Sequence, residues 1–346
     1  MISRYSNMAS RKSVSPSELR QDLVSGDWVA IATARARRPH AFVEKKKQAF
    51  GQLKSACPFE ALHVGALLAH ARDGSVGSKS SWWVQVVANK YPAFGKGECV
   101  VFDTVGPYQW TQGVGFHEVI VTRDHTRSIA AMSHDEVRQI IRSYQERAEA
   151  MREDACVKYI SIFHNHGRTA GASIGHPHSQ MIALPVIPPD VARSMRGSAE
   201  YFRLHNTCVH CATVGYEMDA GERMIYENDH CIVVAPYASK TAFEMRIFPK
   251  KHRARFEEMV VEEYAALADA LRISLAKLSK GLGNPDYNFF IHTAPVAPAG
   301  EFNHYHWHLE IVPKTAIWAG FEIGTGIEIS TIAPEDAAKF LKKIKV

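Results

Sequence analysis

Two histidine-rich motifs occupy corresponding places in an internal repeat of this chain. They are Gly175-His-Pro-His-Ser-Gln180 and His304-Tyr-His-Trp-His308. The run Tyr159–His164 lies 128 residues before Tyr287–His292, and the same spacing separates the first two histidines of the two motifs. Self-similarity at one spacing is the signature of a duplicated structural unit. The chain is therefore expected to fold as two similar halves.

Each half shows the same predicted order of elements, in which β-rich runs precede one helix and two further strands. In the first half, Trp82–Ala88 and Gly115–Val121 are predicted strands. Ser133 is the predicted N-cap of a helix with an apolar stripe. The corresponding helix of the second half runs from about Phe256 toward Gly281. This order predicts an α+β fold, a tandem repeat of antiparallel sheets flanked by helices.

Composition limits the class of protein. The chain has 346 residues, of which 46% are hydrophobic, enough for a large core or two domains. No apolar run approaches the roughly 20 residues that cross a bilayer, and the net charge of +5 is scattered. The pair Cys208-x-x-Cys211 among six cysteines favours a reducing compartment over a disulfide scaffold. We expect a soluble, cytoplasmic protein that binds neither membranes nor nucleic acid.

The repeat also predicts domain boundaries. Residues 1–17 carry three basic residues and no acidic one, which favours a disordered tail, with an organellar transit peptide as the alternative. Residues 18–195 form the predicted N-terminal catalytic domain. Residues 196–346 form the predicted C-terminal domain, with a structural metal site and an acceptor-side segment.

Two thiols and two imidazoles in the second half form a predicted zinc site. This is the ligand set of a tetrahedral site, and the two cysteines have the usual close spacing. The predicted ligands are Cys208, Cys211, His252 and His304. The alternative is a chance CxxC with unrelated histidines.

The first half contains a corresponding set in which a glutamate replaces the second cysteine. Its members are Cys57, Glu60, His125 and His176. Because carboxylate oxygen also binds zinc, this set is a candidate for a second zinc site. A vestigial site without metal is the alternative, so zinc is predicted in the second half and left open in the first.

A glycine-rich loop, Asn165–Gly175, precedes the first histidine motif. Its glycines, including Gly171, let the backbone approach a ligand closely, so that amides and the Ser173 hydroxyl can contact phosphate oxygens. A structural turn is the alternative. The second half has Ala294-Pro-Val-Ala-Pro298 at this place, which offers fewer amide donors. The first half is therefore the predicted chemical site, and the second half the structural one.

His178 is the predicted nucleophile. One imidazole nitrogen can attack phosphorus while the other donates a hydrogen bond that fixes the tautomer. Gln180, two residues later on the same strand face, is predicted to donate to a phosphate oxygen during transfer. The alternatives are a metal ligand or packed core histidine for His178, and a surface residue for Gln180.

Two further stretches suit an anionic ligand. Arg35-Ala-Arg-Arg38-Pro39 offers guanidinium groups whose planar fork matches a diphosphate. Asn89-Lys-Tyr-Pro92 ends a predicted strand and offers an amide to a ribose or a base. A solvated charged surface is the alternative for the arginines.

Taken together, these motifs resemble the galactose-1-phosphate uridylyltransferase family of the histidine-triad superfamily, with features of the subgroup that resembles ADP-glucose phosphorylase. The segments that carry the resemblance are Glu18–Asp22, Trp28, Arg35–Pro39, Asn89–Pro92, Asn165–Gln180, His304–Pro313, Ala319–Gly326 and Ala333–Phe340. The resemblance implies two histidine-triad-like half-barrels in tandem, usually in a homodimer. It also implies ping-pong transfer through a covalent nucleotidyl-His178 intermediate.

The resemblance also implies roles for single residues. His176 is a metal ligand or an orienting histidine, while Ser173 and Gln180 contact phosphate. Glu322 is expected to act across a dimer interface. The residues expected to bind the nucleotide or the acceptor are Arg35, Arg38, Asn89, Asn165, Gly171, Phe321, Glu322 and Gly324.

The leading functional hypothesis is exchange of a nucleoside monophosphate between a nucleotide sugar and a hexose 1-phosphate, as in a UDP-glucose:hexose-1-phosphate uridylyltransferase. The first alternative is an ADP-sugar phosphorylase that uses phosphate as acceptor. The second is a catalytically inactive, zinc-stabilised nucleotide-binding protein. Ser179, where the best-known uridylyltransferases have glycine, leaves the nucleobase open, and Glu60 leaves the first metal site open.

Overall fold

The computed structural model describes residues 17–35, 53–99, 102–298 and 300–346. Its strands are β1 (Glu18–Gln21), β2 (Trp28–Ile31), β3 (Leu68–Ala71), β4 (Trp82–Ala88), β5 (Asp103–Val105), β6 (Tyr108–Trp110), β7 (Phe116–Thr122), β8 (Tyr159–His166), β9 (His178–Leu184), β10 (Met224–Glu227), β11 (Cys231–Val234), β12 (Met245–Pro249), β13 (Tyr287–His292), β14 (His308–Pro313) and β15 (Glu328–Ser330). Its α-helices are α1 (His134–Arg152), α2 (Pro189–His205), α3 (Val209–Ala220), α4 (Val261–Leu282), α5 (Gly320–Thr325) and α6 (Pro334–Lys343). The predicted tail lies outside the described residues except for Ser17.

One ten-stranded sheet contains strands from both halves. Its order is β3-β4-β7-β9-β8 in the first half, continued by β13-β14-β12-β11-β10 in the second. Every pairing in this sheet is antiparallel. The two halves therefore repeat the same order outward from a central β8–β13 pair, which confirms the predicted antiparallel α+β fold.

The register of the central pair shows which residues of the two halves correspond. Phe163 on β8 lies opposite Phe290 on β13. On its other side Phe163 faces Gln180, and Phe290 faces Glu310. Equivalent positions are thus 127 residues apart on β8 and β13 but 130 apart on β9 and β14. The second half has three extra residues before β14, so the single spacing of 128 is corrected.

Helices α1 and α4 pack against each other and cover one face of the sheet. Ser133 caps α1 as predicted, because its Oγ accepts the Glu136 N–H and Glu136 Oε2 accepts the Ser133 N–H. Helix α4 begins later than predicted, since Phe256–Glu258 form a separate 3-10 turn. Leu271 and Leu275 of α4 are fully buried, each worth roughly 1.5 to 3 kcal/mol. The opposite face of the sheet is left for the polar residues of the site.

The first two strands pack against the second half of the chain. β2 pairs in parallel with β15, and Asp22 Oδ2 lies 3.1 Å from Arg246 Nη1. Gly197 on α2 approaches Val24 O so closely that a Cβ there would lie 1.8 Å from it. Contacts of residues 18–31 thus cross the predicted boundary between residues 195 and 196, which itself lies inside α2. The division into residues 18–195 and 196–346 remains a prediction.

Cys99 and Cys156 form a disulfide with a Cα–Cα distance of 5.1 Å. The sequence did not predict this pair, which joins the loop after β4 to the turn after α1. A reducing compartment therefore stays a prediction. Over the ranges given above, no helix has both the length and the hydrophobicity needed to span a membrane.

Candidate active site and metal centres

His178 is the first residue of β9, and its ring orientation is fixed by the backbone. Its Nδ1–H donates to the carbonyl oxygen of His176 at 2.8 Å, which leaves the lone pair on Nε2. Burial lowers the pKa of His178, and its ring lies 5.4 Å from that of Phe59. A neutral imidazole with a free nitrogen is the form that can attack phosphorus.

Gln180 lies on the same face of β9 and contacts an imidazole that the sequence analysis missed. His117 Nε2 is 2.9 Å from Gln180 Oε1 and 3.0 Å from Asn89 Nδ2. The structure therefore brings Asn89 and Gln180 to the same side chain, as their predicted roles at one nucleotide require. The amide nitrogen of Gln180 is left for a ligand.

The loop between β8 and β9 depends on glycine at two positions. Gly167 and Gly171 have φ angles of 85° and 88°, which disfavour other residues. A Cβ at Gly167 would also lie 1.9 Å from Asp286 Oδ1. The half-buried Ser173 follows in the same loop. The glycine-rich sequence is thus needed for this path of the backbone next to His178.

Two residues of the second half hold this loop in place. Asp286 Oδ2 accepts the Thr169 N–H at 2.8 Å and the Thr169 hydroxyl at 2.5 Å. Asn288 Nδ2 donates to Asn165 Oδ1 at 2.7 Å and to the carbonyl oxygen of Ala170 at 2.8 Å. Because the oxygen of the Asn165 amide is occupied, its nitrogen is the group available to a nucleotide.

Replacing Asp286 with alanine is expected to lower the free energy of unfolding by about 1 to 3 kcal/mol, because two buried donors of Thr169 lose a charged acceptor. The loop should also open, so proteolysis should cut it sooner. Urea unfolding and limited proteolysis measure both effects. Asp73→Ala, in an exposed turn, is the control and should show neither. Unchanged stability and loop protection in Asp286→Ala would contradict this account of the loop.

In the first predicted metal set, four donor atoms converge within 4.8 Å of one another: those of Cys57, Glu60, His125 and His176. The Nε2–H of His176 donates to the carbonyl oxygen of Thr122 at 2.5 Å. Its bare Nδ1 therefore faces Cys57 Sγ and Glu60 Oε1, each at 3.5 Å. An imidazole oriented by a carbonyl in this way is typical of metal ligands. The residues present fit a divalent cation.

The second metal set contains His306 where the sequence predicted His304. Its four donor atoms, from Cys208, Cys211, His252 and His306, lie within 4.8 Å of one another. The Sγ of Cys211 lies 3.2 Å from His252 Nδ1 and 3.5 Å from His306 Nδ1.

This set also fits a thiophilic cation such as zinc. A hydrogen bond from Cys211 lowers the pKa of Cys208, favouring the thiolate that zinc binds. His306 Nε2 has no hydrogen-bond partner although it is buried. His304 lies instead in a turn beside Phe302, because the three extra residues of this loop shift the correspondence from 128 to 130.

The predicted acceptor-side residues lie elsewhere on the chain. Phe321, Glu322 and Gly324 are on the exposed helix α5, where Glu322 Oε2 accepts the Ala319 N–H. Arg35 ends a 3-10 turn that follows β2, and Arg38 lies outside the described residues. None of the described contacts joins these residues to His178.

The second half repeats the geometry of His178 without its chemistry. The Nδ1–H of His308 donates to the carbonyl oxygen of His306 at 3.3 Å, as His178 does to His176. Glu310 stands where the first half has Gln180, and its carboxylate accepts from His292 and Arg246. A carboxylate repels a phosphate where an amide would bind it. This difference favours the first half as the chemical site.

Comparison with known proteins places the chain among nucleotide-sugar enzymes. A family model described as a domain of unknown function, DUF4921, matches residues 101–344. The chain is 33% identical to ADP-glucose phosphorylase of Arabidopsis thaliana over 95% of its own length and 93% of that protein. It is 27% identical to galactose-1-phosphate uridylyltransferase of Thermotoga maritima over 95% of its length and 99% of that protein. It also matches the crystal structure of the Arabidopsis phosphorylase with bound ADP-glucose, with a TM-score of 0.79 and 31% identity over 95% of this chain and 100% of that one.

Proposed function

Because the chain belongs to the family of galactose-1-phosphate uridylyltransferases and ADP-glucose phosphorylases, we propose that it transfers a nucleoside monophosphate through a covalent bond to His178. The observation that carries the proposal is the hydrogen bond from His178 Nδ1 to the carbonyl oxygen of His176. This bond leaves Nε2 as the nucleophilic atom, on the sheet face that also carries Gln180.

The reaction takes two balanced steps. His178 Nε2 attacks the α-phosphorus of a nucleotide sugar, and the P–O bond to the sugar 1-phosphate breaks, its electron pair leaving with that product. The positive charge on the ring is shared with the His176 carbonyl through Nδ1–H. An oxygen of the acceptor then attacks the same phosphorus, and the N–P electron pair returns to Nε2. Gln180, Ser173 and the loop amides stabilise the phosphoryl oxygens by donating hydrogen bonds.

We place ADP-glucose with phosphate as acceptor first among the substrate pairs. Support comes from the 33% identity to a phosphorylase over nearly the whole chain, against 27% to a uridylyltransferase. The exchange of UDP-glucose with a hexose 1-phosphate, which the sequence favoured, becomes the second candidate. The roles of Arg35, Arg38, Asn89, Asn165 and Gly171 at the nucleotide belong to the same proposal.

The test supplies purified protein with ADP-glucose or UDP-glucose and with phosphate or galactose 1-phosphate. The phosphorylase predicts ADP and glucose 1-phosphate from ADP-glucose plus phosphate, at a rate at least about tenfold above the other pairs. UDP-galactose from UDP-glucose plus galactose 1-phosphate would favour the second candidate. Nucleotide binding without any exchange would instead support the inactive, zinc-stabilised protein.

We also propose zinc in the Cys208 set and a homodimer as the active form. Four sulfur and nitrogen donors support zinc, which would stabilise the second half when bound. Zinc or another divalent cation in the Cys57 set is proposed on the same convergence. Exposed apolar residues on and before α5, Ile317, Trp318, Phe321 and Ile323, support a dimer in which Glu322 and its neighbours reach the partner's site. Sedimentation velocity on the purified protein tests this assembly.

A further inference from the structure

His117 lies between two residues that are proposed to contact the nucleotide. On β7 its carbonyl oxygen accepts the N–H of Asn89, which follows β4. Its side chain lies diagonally across from Gln180 on β9, because β7 pairs with β9 with Val119 opposite Gln180. One imidazole nitrogen, Nε2, is 2.9 Å from Gln180 Oε1 and 3.0 Å from Asn89 Nδ2.

The tautomer of His117 follows from a backbone amide. The Ala93 N–H lies 3.1 Å from Nδ1, and a backbone N–H can only donate. Nδ1 is therefore unprotonated, and the neutral ring carries its hydrogen on Nε2. That hydrogen is donated to Gln180 Oε1, which is an acceptor.

This hydrogen bond sets the direction of the Gln180 amide. With its oxygen held by His117, Gln180 presents its nitrogen, and hence its donors, to a ligand. Exchanging the two ends of the amide would place NH₂ against the Nε2–H, so that two donors would face each other. Asn89 Nδ2 already stands in such a donor–donor contact, which is relieved when Asn89 turns toward an acceptor on a bound nucleotide.

The second half has a different pair in the same place. By the 127-residue spacing His117 corresponds to Glu244, and by the β14 register Gln180 corresponds to Glu310. The side chains of Glu244 and Glu310 also share a hydrogen bond. Both members of the pair differ between the halves, as expected if the two positions work as one unit.

We propose that His117 is a positioning residue for nucleotidyl transfer, holding the amide nitrogen of Gln180 toward the transferred phosphate. Through Ala93 it also links that orientation to the turn that carries Asn89. The inference rests on the function proposed above, and His117 acts through Gln180 instead of touching the phosphorus.

A double-mutant cycle on the full-length protein tests the coupling. His117→Phe is expected to slow formation of the nucleotidyl-His178 adduct roughly 10- to 100-fold, since a misdirected Gln180 loses much of its effect as an oxyanion-type donor. His117→Gln, which keeps an N–H at the end of the side chain, should stay within about tenfold of the wild type. In a Gln180→Ala background, His117→Phe should cost little more.

His205→Phe, on the exposed part of α2, is the control and should leave the rate unchanged. Full additivity of the His117→Phe and Gln180→Ala losses would overturn the inference. So would an equal loss in His117→Gln and His117→Phe, because a structural role alone would not distinguish them.

A second measurement does not depend on activity. Two-bond ¹H–¹⁵N spectra of the labelled protein should show His117 as the Nε2–H tautomer, and the Gln180 side-chain amide signal should move in His117→Phe. An Nδ1–H tautomer, or an amide signal that stays in place, overturns the inference. If no nucleotide sugar forms an adduct, the proposed function fails while these spectra still decide whether His117 directs Gln180.

Discussion

Replacing His178 with glycine is expected to abolish the covalent nucleotide adduct and to lower transfer by on the order of 10⁴-fold or more, because no other group can take the place of a covalent nucleophile. The fold should survive, since the ring is only partly buried and its single described hydrogen bond is to the His176 carbonyl. The size of the effect distinguishes covalent transfer from direct displacement. In direct displacement His178 would only bind the phosphate, and the loss would be much smaller.

The measurement is intact-protein mass spectrometry after brief incubation with ADP-glucose or UDP-glucose, followed by peptide mapping of the label. His308→Ala is the matched control, because His308 has the same backbone hydrogen bond in the second half. It should keep the adduct at the wild-type level. An adduct that persists in His178→Gly, or that maps to His308, would disprove the assigned nucleophile.

The second large effect is expected from His306→Ala. This change removes one of four ligands from the Cys208 set, so the second half should lose its zinc. Structural zinc sites contribute about 10 to 16 kcal/mol of binding free energy in zinc-finger peptides. The free energy of unfolding should therefore fall by at least about 3 kcal/mol, even if the remaining ligands hold the metal weakly.

Zinc content by elemental analysis and chemical unfolding with and without a chelator provide the measurements. His304→Ala is the control that separates the two readings of the motif, since His304 lies in a turn outside the set. It should keep both the metal and the stability. The assignment fails if His304→Ala loses zinc while His306→Ala retains it.

Local features of the fold followed from the sequence because they depend on neighbouring residues. The Ser133 cap and its Glu136 partner form as the motif indicates. Strand β4 has the predicted bounds, because its β-branched and aromatic residues are bounded by polar turns. The glycine loop was recognised for the same reason, since positive φ angles leave a visible sequence signal.

The choice between His304 and His306 depended on information that the motif lacks. Both histidines alternate in the sequence, and one spacing of 128 aligns His176 with His304. The strand pairings show that β14 is displaced by three residues relative to β13. A loop insertion of this size moves the correspondence without erasing the repeat, so only the register identifies the ligand.

The residues that were missed act on partners far away in the chain. Asp286 and Asn288 hold a loop more than 100 residues earlier, and His117 meets Gln180 only when β7 pairs with β9. Their one sequence signal was the contrast of Phe116-His117 with Phe243-Glu244 in the repeat. Without the pairing, that contrast has no partner to explain it.

The β8–β13 pairing has a consequence for the history of the chain. Because Phe163 faces its own equivalent, Phe290, the contact has the self-complementary form that two identical subunits make around a two-fold axis. The molecule is built like a homodimer whose subunits have been joined by a linker. Once joined, the two ancestral copies were inherited together, so that one could exchange an amide for a carboxylate at Glu310 and give up phosphate chemistry while continuing to brace the loop of the other.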